Sequence, residues 1–332
     1  MSVPIYYDPD ADLSLIQQKR VAFIGFGNQG AAQANNLRDS GVREIIIGNI
    51  DDAYKAAALA DGFRVVPIPE AAAWADVIFL LIPDEVQPAV FHEQIAPHLR
   101  PGTTLVVASG YNVAFHLLNV PDQVDIVMVA PRMVGAAVRS LYIQQRAYPC
   151  FVSVEHDASG RAFPLALSIA RGIGATRGGA IKSSALEEAA LDLLSEQAIW
   201  PAIAVIFQKA YEALHAAGFS DEAILNELYL SHEPAEIFEL VGEKGFFGQL
   251  PFHSRTSQYG QLRGILADNG EWAQQRIKHA LDEILSGRFA REWSNVQAAG
   301  TVRLEQLRAK IAQSPMAQAE KRVLGEQKGR GL

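Results

Sequence analysis

The chain has 332 residues, 49% of them hydrophobic, which is enough for a sizeable core and long enough for two domains. Its 29 Lys+Arg against 37 Asp+Glu leave a formal net charge of −8, an argument against a general nucleic-acid partner, because phosphate binding needs a basic face. A lone cysteine, Cys150, excludes a disulfide scaffold, and the N-terminus has no basic region followed by an apolar run; no uncharged apolar stretch reaches the ~18–20 residues of a membrane span, so a cytoplasmic, membrane-free protein is expected.

From Arg20 onward, short apolar runs alternate with helical patterns. They are Arg20–Gly25, Glu44–Gly48, Asp76–Ile82, Thr104–Ala108, Asp125–Ala130 and Cys150–Val154. Almost no polar residue interrupts them, as in parallel strands covered on both faces. The alternation predicts an α/β fold with a doubly wound sheet over residues 1–182. Strand signals then stop. Residues 183–332 read as an all-helical domain. One helical region runs from Ser184 to Ala217 with Gly218 as its stop, and Ser220 reads as a fresh N-cap. Further helices are expected over Glu271–Leu285 and Ala290–Gln313, and the polar tail from Ser314 is expected to fray. The apolar character of this half predicts a partner subunit.

Gly25-Phe26-Gly27-Asn28-Gln29-Gly30 follows the first strand directly and opens a helix. Gly25 allows the tight turn, Gly27 lets a pyrophosphate approach the backbone, and Gly30 lets helix and strand pack closely. The helix N-terminus offers unpaired N–H groups to the phosphates. After the second strand come Asn49, Asp51 and Asp52. A carboxylate here accepts ribose hydroxyls and repels a 2′-phosphate, so an NAD(P)H site with NADH favoured is expected. One of the two aspartates is equally suited to capping the next helix.

Several segments together resemble the ketol-acid reductoisomerases, in their short-chain form. These are Tyr6-Tyr7-Asp8 through Asp12-Leu13-Ser14-Leu15-Ile16, the Gly25–Gly30 turn, Ala34–Gly41, Pro83-Asp84-Glu85, Ala130-Pro131 and, most specifically, Ser286–Trp293. The resemblance implies an N-terminal Rossmann domain and a knotted helical domain. It also implies a homodimer, or a larger homo-oligomer, with active sites shared between subunits, NAD(P)H, and Mg2+. Ile82, Pro83, Asp84, Gly110 and Gly135 would border the cofactor. The implied reaction is alkyl migration in a 2-acetohydroxy acid followed by hydride reduction, in branched-chain amino-acid synthesis.

The chain departs from that pattern where the chemistry lies. The family's His-Gly-Phe-Asn reads Ser109-Gly110-Tyr111-Asn112, so a proton relay near neutral pH is lost. Its lysine after Ala-Pro becomes Arg132, a permanently charged planar fork. Its Asp-x-x-x-Glu is kept as Asp192 and Glu196, but the next helix's carboxylate pair becomes Tyr229 and Glu233. Pro201 and Pro234 should each kink a helix. The substrate-contacting serine matches Ser254. Three carboxylates with one arginine balance at most one divalent ion, placed on Asp192 and Glu196. A metal-free pair of Arg132 with Asp192 or Glu196, structural or substrate-binding, is equally open. The eight histidines show no metal-like spacing.

Alkyl migration needs two oxygens gripped by metal, whereas hydride transfer needs a nicotinamide against an electrophilic carbon. The expectation is therefore a reductase that moves hydride to C=O, C=N or conjugated C=C of a small polar substrate without rearrangement, in specialised metabolism. In that reading Tyr229 donates the proton, Arg132 clamps a carboxylate, Ser109 approaches the nicotinamide and Ser254 touches substrate. The rivals are a working ketol-acid reductoisomerase and a cofactor-binding pseudoenzyme.

Overall fold

The computed structural model describes residues 2–329. The chain divides into two compact units, Met1–Asp192 and Leu193–Leu332. The division falls later than the 182/183 boundary read from the sequence. Helix Ala185–Leu194 starts with Glu188 hydrogen-bonded to the backbone N–H of Gly110 at 2.7 Å, which ties its first turns to the sheet unit.

The first unit is built on nine strands: β1 (Ile5–Tyr6), β2 (Val21–Ile24), β3 (Ile45–Gly48), β4 (Arg64–Val66), β5 (Val77–Leu80), β6 (Thr104–Val107), β7 (Asp125–Pro131), β8 (Cys150–His156) and β9 (Ala180–Lys182). Their order is β1-β9-β8-β7-β6-β5-β2-β3-β4. From β4 across to β7 all neighbours are parallel, whereas β7 pairs with β8, and β1 with β9, antiparallel. The antiparallel end and the short strands β1, β4 and β9 were not read from the sequence. Each of those strands is only two or three residues long, too short to show a period.

The uninterrupted apolar runs have a direct cause. Val21 and Phe23 point into one core layer with Phe79, Val106 and Val127, while Ala22 and Ile24 point into the other with Ile78, Leu105 and Phe91. Phe23 and Phe79 stack across the pair β2·β5 with centroids 4.3 Å apart. Successive strand residues face opposite sides, so in a sheet covered on both faces the apolar preference extends to nearly every strand residue. Strand order reverses between β2 and β5, and the crevice at their C-terminal ends is where such sheets bind ligands.

The second unit is helical throughout its described residues. Helix Ala185–Leu194 continues through a π-helical turn, Ser195–Ile199, into Trp200–Ala216. The wide turn lies just before Pro201 and absorbs the hydrogen bond that proline cannot make. Gly218, at φ 89°, ends the run as expected, and Ser220 caps the next helix by accepting from Ala223 N–H. By length and composition the run Ala185–Ala216 is apolar enough to cross a membrane, although it is not uncharged, holding Glu187, Glu188, Asp192 and Glu196 in its first half, and 11% of its most apolar window is buried. The expected helix over Ala290–Gln313 is two, Arg288–Ala298 and Val302–Ala312, because Gly300 and Thr301 both adopt positive φ. The tail does not fray over its described part. Helix Pro315–Gly329 buries Ala319 and Val323 against Tyr211, Ile224 and Leu225; residues 330–332 lie outside the described residues.

Candidate active site

The Gly-rich turn sits at the C-terminal end of β2, at the switch point, and helix Asn28–Asp39 follows with Gly27 as its N-cap. Gly25 has φ 96°, and a Cβ there would lie 2.8 Å from Ile82 Cγ2 and 2.9 Å from the Leu81 carbonyl. A Cβ on Gly30 would lie 2.3 Å from the Gly25 carbonyl. Nothing lies within 4 Å of the corresponding point on Gly27, which leaves the N–H groups of the first turn open to an incoming anion. Gly135 passes so close to Asn28 that its Cβ would meet that carbonyl at 2.1 Å. Gln29 Nε2 donates to the Met133 carbonyl at 2.9 Å, which locks the turn to the loop after β7. Open space over Gly27, flanked by positions that exclude a side chain, fits a dinucleotide pyrophosphate. Phe26 is buried, edge-on to Phe63 at 5.5 Å, and supports the turn from below.

After β3, Asp52 is committed to structure. Its Oδ1 accepts from Tyr54 N–H, Lys55 N–H and Asn49 Nδ2, at 2.9, 3.1 and 2.8 Å, as the N-cap of helix Ala53–Ala60. Asp51 caps no helix and pairs with Lys55, whose Nζ lies 3.0 Å from its Oδ1. Of the two aspartates, the capping role read from the sequence thus falls to Asp52.

A cluster of charged residues lies beyond the other side of the switch point. Arg132, at the end of β7, places Nη1 2.5 Å from Glu188 Oε1 and Nη2 2.8 Å from Asp192 Oδ1. Glu188 and Asp192 stand one helical turn apart on the same face, so one planar fork reaches both. Arg132 N–H is held by the Pro149 carbonyl at 3.0 Å, and its guanidinium lies over the Phe151 ring at 5.0 Å. The Glu188 side chain is 4% exposed, and burial pushes its carboxyl pKa up against the opposing Gly110 N–H and Arg132. Asp84, on the loop after β5, accepts from Ser109 Oγ at 3.3 Å and from Gln87 Nε2 at 3.1 Å. Its pKa is pushed up to about 6, first by burial and then by the neighbouring carboxylates of Glu188, Glu85 and Asp192; the Ser109 hydrogen bond opposes this. Asn112 Nδ2 donates to the Asp84 carbonyl at 3.0 Å and to Gln87 Oε1 at 2.9 Å. Tyr111 Oη and Asn112 Oδ1 are buried and have no hydrogen-bond partner among the described residues.

The sequence reading named Arg132, Asp192, Ser109, Gly110 and Asp84, and the fold brings them together. It missed Glu188. The signal was present, since Glu188, Asp192 and Glu196 recur every four residues. In the second unit, the expected roles take other forms. Tyr229 does not share a regular helix with Glu233: it lies in the π-helical turn Asn226–Leu230, and the chain breaks at Ser231-His232 before helix Glu233–Lys244 begins. Pro234 therefore starts a helix, in its first turn, and kinks none. The Tyr229 hydroxyl donates to Glu320 Oε1 at 2.5 Å, and burial together with that carboxylate pushes its pKa further up. A phenol so held is a poor proton donor. Ser254 caps helix Arg255–Ala267, accepting from Ser257 N–H at 3.2 Å. Glu233 and Glu196 are exposed.

The Mg2+ that the resemblance implies finds no matching donor set here. Among the described residues no group of three or more His, Cys, Asp or Glu is placed to hold a metal ion, and both carboxylates beside Arg132 are already paired with it.

Comparison with known proteins agrees with the fold. Residues 15–179 match the family described as acetohydroxy acid isomeroreductase, NADPH-binding domain, and residues 186–328 match ketol-acid reductoisomerase, C-terminal domain. A putative ketol-acid reductoisomerase 3 from Saccharolobus solfataricus is 44% identical over 318 residues, 95% of either chain. A ketol-acid reductoisomerase (NADP(+)) from Leifsonia xyli is 41% identical over 315 residues, covering 94% of this chain and 91% of its own. The structure of an NADH-preferring ketol-acid reductoisomerase from an uncultured archean superposes with a TM-score of 0.90 at 31% identity, covering 97% of this chain and 98% of the other. The chain belongs to the ketol-acid reductoisomerase family of NAD(P)H-dependent oxidoreductases.

Proposed function

We propose that this chain uses NADH to reduce a C=O, C=N or conjugated C=C bond of a small polar substrate, without alkyl migration. The observation that carries the reading is the Arg132 fork between Glu188 and Asp192, which engages Asp192, one of the carboxylates that a rearrangement would need free for metal. The nicotinamide supplies the hydride. The backbone N–H groups at the start of helix Asn28–Asp39 hold the pyrophosphate, and Asn49 and Asp51 receive the ribose. Ile82 lies next to Gly25, and it and Pro83, which follows it in the chain, would border the reacting end of the cofactor. Asp84, its pKa pushed up to about 6, accepts from Ser109 Oγ, the hydroxyl that stands where the family has histidine, and so places a carboxyl that titrates just below neutral pH beside that hydroxyl. The absence of any arginine in the loop from Asn49 to Asp52, and the negative charge of Asp51, favour NADH over NADPH.

Turnover of NADH with a panel of 2-keto acids and cyclic imines, in the presence of a chelator, tests this reading. Oxidation of NADH by at least one of them is the expected result; binding of NADH with no turnover throughout the panel would favour a pseudoenzyme. A second reading is a complete ketol-acid reductoisomerase, acting on 2-acetolactate, supported by the names of relatives that align over nearly all of the chain. Incubation with 2-acetolactate, Mg2+ and either cofactor separates the two, because only the second reading yields 2,3-dihydroxyisovalerate.

A homodimer in the cytoplasm is part of the proposal. Ile199, Trp200, Val205 and Ile206 are each more than a third exposed on one helical run, an apolar face that a second copy would cover. Light scattering at twice the chain mass, or a higher multiple for a larger homo-oligomer, is the expected result.

A further inference from the structure

The Arg132 cluster carries an inference that rests on the reductase reading and deepens it. Both oxygens of Glu188 are engaged: Oε1 faces Arg132 Nη1 at 2.5 Å and Oε2 accepts from Gly110 N–H at 2.7 Å. Asp192 gives Oδ1 to Nη2 at 2.8 Å. The guanidinium is fixed from three sides, by the two carboxylates and by the Phe151 ring beneath it, on a backbone pinned to Pro149. A magnesium ion needs oxygen ligands at roughly 2.0–2.1 Å in near-octahedral array. To use these oxygens it would have to displace a charge-assisted fork and leave a partly buried cation beside it. A lysine could not hold the same position. Its ammonium is a compact point charge on a flexible stem and does not span two carboxylates one helical turn apart with fixed geometry.

We propose that the Arg132 guanidinium stands in for a divalent cation in this chain, holding Glu188 and Asp192 as a closed ion-pair triad that admits no metal at this locus. Arginine carries five N–H donors, so those not used on Glu188 and Asp192 remain to polarise or orient an electron-rich atom of the substrate. The charge that relatives of this fold would obtain from an ion is here part of the polypeptide, and metal availability ceases to control the site.

The test is a Mn2+ titration of the full-length protein with NADH present, following the free ion by electron paramagnetic resonance. The wild-type protein should show no saturable Mn2+ site that Asp192→Ala removes. Arg132→Lys should create one, binding Mn2+ about tenfold or more tighter than any residual association of the wild type, and adding Asp192→Ala to it should abolish that site. Arg132→Gln provides the same opening with a neutral, similarly shaped side chain, should the lysine variant fold poorly. Unchanged NADH affinity certifies that either variant is folded. The proposal is overturned by a saturable wild-type site lost in Asp192→Ala, or by folded Arg132→Lys and Arg132→Gln proteins that gain no Mn2+ binding. The reductase reading fails separately: NADH oxidation in chelator together with a wild-type Mn2+ site sinks only the triad, whereas a metal-free triad with no turnover on any substrate sinks only the reading.

Discussion

Two halves of the same crevice are built in opposite ways. The cofactor side is made of contiguous backbone: Gly25, Gly27 and Gly30 shape a turn whose first-turn N–H groups are proposed to hold the pyrophosphate. The proposed reaction side is made of side chains from four separate segments, with Asp84 after β5, Ser109 after β6, Arg132 after β7, and Glu188 and Asp192 on the helix that follows the sheet. A backbone site is lost only by adding atoms to it. A side-chain site is rewritten by exchanging one charge for another, as Arg132 illustrates. Cofactor use therefore persists in such a scaffold while the chemistry next to it shifts.

The largest expected effect on this contrast comes from Gly30→Ala. Its Cβ would sit 2.3 Å from the Gly25 carbonyl, backbone that cannot yield cheaply, so the turn must open. NADH affinity should fall by about a hundredfold or more, roughly 2.7 kcal/mol, measured by fluorescence titration. If affinity survives, the turn does not hold the pyrophosphate. On the other half, Arg132→Ala strands the buried Glu188 carboxylate and should cost about 3 kcal/mol in urea unfolding, with NADH affinity nearly unchanged. Equal loss of NADH binding would show that the two halves are not independent.

A pH dependence sharpens the comparison further. Asp84 has its folded pKa raised to about 6 from the ordinary aspartate value of 3.8, so between those values the folded state binds more protons than the unfolded state. The Asp84 contribution is thus fully present below pH ~4 and is lost as pH rises through about 6. Asp84→Asn should flatten that part of the stability–pH curve; an unchanged slope would remove Asp84 as the proton-holding group. The smallest effect is expected at Asp52→Ala, which removes an N-cap and should lower stability by about 1 kcal/mol with little change in the NADH/NADPH ratio. Asp51→Arg should instead shift that ratio about tenfold or more toward NADPH, by supplying a 2′-phosphate partner where a negative charge now stands.

Legibility followed range along the chain. The six longer strands and the cofactor turn could be read because each is a local pattern of consecutive residues. Strands β1, β4 and β9 are two or three residues long and exist only through pairing with neighbours far away in sequence. Tyr229 is instructive in the other direction. It aligns with a family carboxylate, yet its hydroxyl is spent on Glu320, ninety-one positions later, a partner that no local pattern announces. The tail from Ser314 looked too polar to order, but Ala319 and Val323 are spaced to bury one face of a helix that contacts Tyr211.

Composition and local pattern alone determined that this chain folds around a doubly wound sheet, carries a dinucleotide turn after its first long strand, and continues into helices, because strand runs and glycine spacing are enforced by steric rules acting over a few residues. Only the tertiary structure decided that Arg132 faces Glu188 as well as Asp192, that Asp52 caps a helix while Asp51 pairs with Lys55, and that the Asp84 pKa is pushed up to about 6. Those outcomes depend on which charges the fold buries together, and the cost of burying a charge is set by its neighbours in space.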